Sequence, residues 1–423
     1  MKTSDLGQKV YAFVRKDFWP KFGKLRDTFS QHPVWQRLRS LGSELWLDSG
    51  NIDDCRKLYT QEFSALTTNN TLLNKEIQTG RYDELIPEAV KLLSAYPQLT
   101  EKQRILEIAF ILNAYHALRL VEQFDCFVSV EEHTDLANDV DLAIEYAKRY
   151  YAICPERFII KLPFTPAGLL ATRCLSQEGI PINHTLGFSA RQNYVIARIA
   201  QPKYVNVFLG RLNSFIVDNN LGNGAYIGEK ATIASQAAIR KLLREGRTQA
   251  KQIGASFRSG RQVLDLAGID VMTMPPKVAT EFLALNMQPD EIIDKTESVY
   301  IPGINKDLDP AKIRLETLWD INSELIECVG ALEKENLDSF TPDDLVNFFG
   351  DRGCGDFLVK WSNAEIAMSK KEGKIPRLEN WEDALAEKTI GLDSLMNLAG
   401  LYSFATDQEA MDNRVRRYLN KQI

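Results

Sequence analysis

The sequence predicts an α/β chain folded as a (β/α)8 TIM barrel with extra helices at both ends. Three observations carry this. Between about residues 43 and 285, eight short β-prone runs alternate with helix-like stretches, the pattern of repeated βαβ units and a parallel sheet. Eight units in about 240 residues match a closed barrel better than an open sheet. The 423 residues are 44% hydrophobic and 26% charged, ordinary for a packed globular protein.

The runs are ELWLDS (44–49), FSALTT (63–68), CFVSVE (126–131), RFIIKL (157–162), PINHTL (181–186), YVNVFL (204–209), QIGAS (252–256) and DVMTM (270–274). Between them, 139–151 and 166–179 show apolar residues spaced by three and four, the mark of amphipathic helices. The 57-residue gap after the second run holds helical patterns near 83–95 and 101–122, so extra helices are expected there. Residues 43–300 are therefore assigned to the barrel. Residues 1–42 read as a helical arm rich in basic and aromatic residues, and 301–423 as a helical extension. Within that extension, Thr341-Pro342-Asp343-Asp344 joins a capping hydroxyl, a first-turn proline and acids facing the positive helix end. MSKKEGKIPRLEN (368–380) is polar and expected to be exposed, and 404–420 reads as a last helix running from acid to base.

Composition excludes several classes of function. The net charge is −6, from 51 basic and 57 acidic residues, too mild for bulk nucleic-acid binding. Residues 1–44 hold nine Lys/Arg against four Asp/Glu, together with Tyr11, Phe13, Phe18, Trp19, Phe22, Phe29 and Trp35. An anionic contact and an arm that buries its aromatics on the main body both fit this stretch, and the second is the expectation, since aromatics bury large areas. No apolar run reaches the roughly 18 residues of a membrane span, and the first residues show no apolar signal core. The six cysteines are scattered without a CxxC pair and the four histidines lack metal-ligand spacing. A cytoplasmic chain with reduced thiols, no metal, no membrane and no nucleic-acid partner is expected.

In such barrels reactive residues lie at the C-terminal ends of the strands. Here those ends carry Asp48, Thr68-Asn69, Glu131, Lys161, Asn183 with Thr185, Asn206 and Ser256. Each alone has a plain alternative: a lysine can be a solvated strand end, and an acid can cap the next helix. Together they place one amine and two carboxylates at one mouth. A desolvated lysine can attack a ketone, and the iminium that forms is an electron sink for carbon–carbon cleavage. One carboxylate can take the hydroxyl proton and another can hold water for imine formation. GASFR (254–258) follows the seventh run, where barrels of this kind often bind phosphate, and offers backbone N–H groups, Ser256 and the Arg258 fork; Arg211 follows the sixth. A surface ion pair is the alternative for Arg258.

The segments WLDSG (46–50), ALTTNNTLL (65–73), IIKLPFTPAGLLA (159–171), EGIPINHTLGFS (178–189), VFLGR (207–211), GASFRSGRQVLDLAGIDVMTM (254–274) and FATDQEAMDNRV (404–415) resemble the transaldolase family, with the match over roughly 40–285. The resemblance implies a Schiff-base barrel with no cofactor. It implies Lys161 as the amine, Asp48 as the base at the cleaved hydroxyl, and Glu131 with Thr185 around the catalytic water. Thr67, Asn69 and Asn183 would contact donor hydroxyls, Asn206 and Phe208 would tune the sugar preference, and Arg211, Ser256 and Arg258 would bind phosphate. Phosphorylated sugars are the implied partners, and the outer helices leave room for a homodimer. Two positions depart from the family pattern. Asn70 stands in place of a proline and is expected to loosen the second βα turn, and Asn206 stands in place of a serine. About 60 residues, near 325–390, are additional. A lid, a dimer face, a partner module and a helical elaboration packed on the barrel all fit them. Three functions are therefore carried forward: a transaldolase, a Schiff-base aldolase releasing dihydroxyacetone or using an atypical sugar, and a non-catalytic interaction protein.

Overall fold

The computed structural model describes residues 5–420. Its strands are β1 (Glu44–Asp48), β2 (Phe63–Thr67), β3 (Phe127–Glu131), β4 (Phe158–Pro163), β5 (Ile182–Thr185), β6 (Tyr204–Phe208), β7 (Lys251–Ala255) and β8 (Val271–Met274). All pair in parallel with their sequence neighbours, and β8 returns to β1 to close the barrel. All eight expected runs form strands.

The register brings the polar strand ends to the mouth. Asp48 pairs with Thr67 and Thr67 with Ser129, two residues before Glu131; Glu131 pairs with Lys161 and Lys161 with Asn183, so five neighbouring strands bring polar residues to the same end of the barrel. Side chains two residues back along a strand share its face. Trp46 and Tyr204 do so below Asp48 and Asn206. They come from strands on opposite sides of the barrel and meet edge to face with centroids 4.8 Å apart, a plug under the cavity.

A polar residue shortly after a strand repeatedly caps the next helix. Asn51, Asn69, Thr165 and Ser189 each accept a backbone N–H with the side-chain oxygen, which satisfies one of the unpaired amides at a helix start. The long gap after β2 holds Leu85–Leu93 and the 24-residue helix Glu101–Phe124, opened by a Thr100/Gln103 capping box.

The arm packs on the outside of this layer. Val10, Val14, Phe18 and Trp35 are buried, and Phe29 lies on Tyr59 and Phe124. Trp19 is 79% exposed and escapes the expectation that the aromatics pack inward.

Beyond the barrel, helices Ser323–Leu332, Pro342–Gly350 and Asn363–Glu372 lead to a final helix, Leu392–Leu419. The final helix is 28 residues long and begins well before the expected 404. It crosses the mouth. At one end Asn397 donates to the Leu186 carbonyl at 3.0 Å, and Asp393 receives Ser189 Oγ and a two-pronged bond from Arg191. At the other, Asp407 accepts from Thr71 and Asp412 meets His133 Nε2 at 3.2 Å. His133 thus ties the loop after β3 to this helix. Among the described residues no helix is long and apolar enough to cross a membrane.

Candidate active site

A cavity of about 150 Å³ opens at the C-terminal ends of the strands. Asp48, Thr67, Asn69, Lys161, Asn183, Asn206, Phe208, Arg211, Ser256 and Arg258 all line it. Ten of the twelve residues singled out from the sequence therefore share one cavity. Glu131 and Thr185 are buried in the wall beside it.

Lys161 sits at the end of β4, 4% exposed. Its Nζ lies 3.5 Å from Glu131 Oε1 and donates to the Thr68 carbonyl at 3.3 Å. Burial pushes the carboxyls of both Glu131 and Asp48 above the ordinary range, and the Lys161 charge opposes that rise in each. Asp48 is further held by Thr67 Oγ1, which donates to it at 2.8 Å and lies 2.6 Å from Thr273 Oγ1.

Glu131 is held from the loop after β2. The backbone N–H of Asn70 donates to Glu131 Oε2 at 3.1 Å, and Asn70 Nδ2 reaches the Glu132 carbonyl at 3.2 Å. The expected loosening at Asn70 is therefore corrected. A proline has no N–H, so asparagine here adds two bonds that proline would forgo and ties the turn to β3. Thr185 Oγ1 is buried without a partner among the described residues, whereas Asn183 Nδ2 donates to Ser129 Oγ at 3.0 Å. Asn206 Nδ2 bridges Asn183 Oδ1 and the His184 carbonyl, at 3.2 and 3.1 Å. The larger amide thus joins the ends of β5 and β6.

The rim is cationic. Arg211 is buried between the rings of Phe208 and Phe404 and donates to Ser403 Oγ at 3.2 Å. Burial, then the neighbouring Arg258 charge, lowers its guanidinium to about 10. Gly210 makes this approach feasible, because a Cβ there would stand 2.1 Å from the Ser256 carbonyl oxygen. Ser256 itself adopts a left-handed φ of 63°.

Several lining or supporting residues escaped the sequence reading, Thr273, Ser129, Phe404 and Lys374 among them. Thr273 is the inward polar residue of DVMTM and Ser129 stands two before Glu131, so period two could have found both. Phe404 and Lys374 also line the cavity, from elements remote in the chain; Phe404 opens the segment FATDQEAMDNRV noted above, whereas no local pattern points to Lys374. Among the described residues no cluster of three His, Cys, Asp or Glu side chains could hold a metal.

A parallel eight-stranded barrel with one buried lysine between two carboxylates, beneath an arginine-rich rim, defines an aldolase-type barrel. The chain belongs to the transaldolase/fructose-6-phosphate aldolase family, whose pattern it matches over residues 45–344. A probable transaldolase of Dictyostelium discoideum is 28% identical over 285 residues, covering 65% of this chain and 85% of the relative. A transaldolase of Aliivibrio salmonicida (strain LFI1238) is 28% identical over 296 residues, 68% of this chain and 89% of its own. A transaldolase of Xanthomonas campestris pv. campestris (strain B100) is 30% identical over 246 residues, 57% and 74% respectively. Family and relatives together support an enzyme of the transaldolase or aldolase type.

Proposed function

We propose that the protein is a transaldolase of the non-oxidative pentose phosphate pathway, acting in the cytoplasm. It would transfer a dihydroxyacetone unit from sedoheptulose 7-phosphate or fructose 6-phosphate to glyceraldehyde 3-phosphate or erythrose 4-phosphate. The observation that carries this is the sharing of one cavity by Lys161, Asp48, Arg211, Ser256 and Arg258, with Glu131 3.5 Å behind the amine.

The steps follow from the groups present. The Lys161 amine adds to the C2 carbonyl of the ketose to give a carbinolamine. Glu131 supplies and retrieves protons through a water that the Thr185 hydroxyl helps hold, and hydroxide leaves as water to form the imine. Asp48 takes the C4 hydroxyl proton. The C3–C4 bond breaks, its electrons move into the iminium as an enamine, and the aldose departs. The acceptor aldehyde adds to the enamine carbon, Asp48 returns the proton to the new hydroxyl, and hydrolysis frees Lys161. Asn183, Asn206, Asn69 and Thr67 can orient the hydroxyls, while the arginine forks and Ser256 suit a phosphate.

The test is borohydride trapping with fructose 6-phosphate, read by intact mass and peptide mapping. A three-carbon adduct on Lys161 that erythrose 4-phosphate discharges before reduction is the expected result. An adduct that no acceptor discharges would point to an aldolase releasing dihydroxyacetone, and no adduct with either ketose phosphate would reject the proposed donors.

A further inference from the structure

The additional C-terminal helices reach the mouth at one charged residue. Helix Asn363–Glu372 ends at Gly373, whose φ of 83° turns the chain sharply; nothing lies within 4 Å of where a Cβ would stand, so conformation and not crowding favours glycine there. The next residue, Lys374, lines the same cavity as Lys161, Arg211 and Arg258. The segment after it is clamped to the barrel. Asn219, which follows the helix carrying Arg211, donates Nδ2 to the Pro376 carbonyl at 3.0 Å and accepts the Leu378 N–H at 2.8 Å. One side-chain amide thus holds the two cation-bearing segments in a fixed relation.

The charges around Lys374 belong to the mouth. Partial burial lowers its ammonium; Asp407 opposes this, and Arg211, Lys75 and Arg258 add to it. Lys374 stands with Arg211, Arg258 and Lys75 around the mouth; Asp407, the carboxylate that acts on it, already accepts from Thr71, and Asp48 and Glu131 lie deeper in the same site. Among the described residues none of Arg211, Arg258 and Lys374 forms an ion pair with a carboxylate within 4.0 Å. Cations gathered at one rim with no carboxylate at ion-pair distance offer a place for an anion, and a phosphate monoester is a dianion.

We propose that Lys374 contacts the phosphate of the bound sugar, so that the C-terminal addition completes the anion site of the barrel and sets its selectivity for phosphorylated substrates. The inference rests on the reading of the cavity as a sugar-phosphate site, and it adds a residue beyond the family match, which ends at 344. Lysine suits this place as a compact point charge beside two planar forks that fix orientation.

The test uses the full chain with two readouts. Calorimetry with inorganic phosphate should show Lys374→Met weakening binding about fivefold to tenfold, the loss of one charge-assisted contact. Lys374→Arg should retain most of the affinity, and Lys371→Met, an exposed cation one turn back, should change nothing. Kinetics should show KM for fructose 6-phosphate raised by a similar factor with kcat within about twofold, and kcat/KM for unphosphorylated fructose unchanged. Phosphate affinity equal in Lys374→Met and the parent chain, or no phosphate binding by the parent chain, would overturn the inference. If Lys374→Met weakens phosphate binding while no ketose phosphate forms an adduct on Lys161, the donor assignment fails and the anion site stands.

Discussion

The floor and the rim of the cavity are built in different ways. On the floor, Asp48, Thr67, Glu131, Lys161, Asn183 and Asn206 stand on adjoining strands, and neighbouring strands or loops hold most of them by hydrogen bonds of 2.8–3.2 Å. At the rim, Arg211, Ser256, Arg258, Phe404 and Lys374 come from a helix start, a loop, the final helix and the C-terminal addition. The floor is a sheet property and cannot move without moving the barrel. The rim is an assembly property, made where remote segments dock. The floor therefore carries the bond-making groups, and the rim carries the cations that suit an anion, together with Lys374, which lies beyond the family match.

The sharpest way to break this contrast is at its centre. Lys161→Met should lower activity by roughly 10⁴-fold or more while leaving the fold intact, since it removes the only nucleophile the proposed route uses. Circular dichroism and loss of the borohydride adduct check both halves. Asp48→Asn should lower kcat by about 10²- to 10⁴-fold, the usual contribution of a positioned base. Its signature differs from that of the lysine variant. Imine formation survives, so borohydride should trap the whole ketose on Lys161, and a three-carbon adduct at parental levels would remove Asp48 from the cleavage step.

A rim variant should act on stability first. Asp393 is fully buried, bonded twice by Arg191 at 2.6 and 2.7 Å and once by Ser189. Asp393→Ala leaves Arg191 with only Asp356 and should cost about 3–5 kcal/mol, seen as a lower Tm. An Arg191→Met/Asp393→Leu pair should recover most of that loss, because the penalty comes from an uncompensated buried charge and not from the absence of the pair. If the double variant is as unstable as the single one, the network would instead be holding the final helix through its geometry.

The same contrast explains what could be read in advance. All eight strands were legible because fully buried parallel strands are short apolar runs between turn signals, and the strand ends then name the floor. Asn70 was misjudged because the loss of a proline was weighed only as lost rigidity, when its physical consequence is a gained N–H. Lys374 was invisible: in the polar stretch 368–380 it resembles any solvated lysine, and only the docking of that stretch on Asn219 brings it to the cavity.

The turn at Asn70 supplies a smaller test. Asn70→Pro removes the N–H that stabilises ionised Glu131, so burial is opposed less and the Glu131 carboxyl rises further. The acid limb of the kcat/KM profile should then move to higher pH by about one unit, a free-energy change near 1.4 kcal/mol. An unmoved limb would mean that Glu131 does not govern it.

The smallest expected effect lies one residue outside the floor. Glu132 follows the end of β3, is buried, and its Oε1 has no partner among the described residues, so burial pushes its carboxyl well above the usual range. For a carboxyl whose folded pKa is raised, the native state binds the proton that the unfolded chain releases near pH 4.3. Its contribution to stability is complete below that pH and declines as pH rises toward the folded value. Glu132→Gln removes this decline, so the variant should gain stability on the parent chain as pH increases from about 5 to 8, by up to about 1.4 kcal/mol per pH unit, seen as a growing difference in Tm. Asp48 and Glu131 carry the same sign and keep part of the slope in both proteins. Activity should be nearly unchanged, since Glu132 does not line the cavity. A Tm difference that stays constant with pH would show Glu132 to be hydrated in solution, while a large loss of activity would extend the floor to a side chain on the outer face of the strand end.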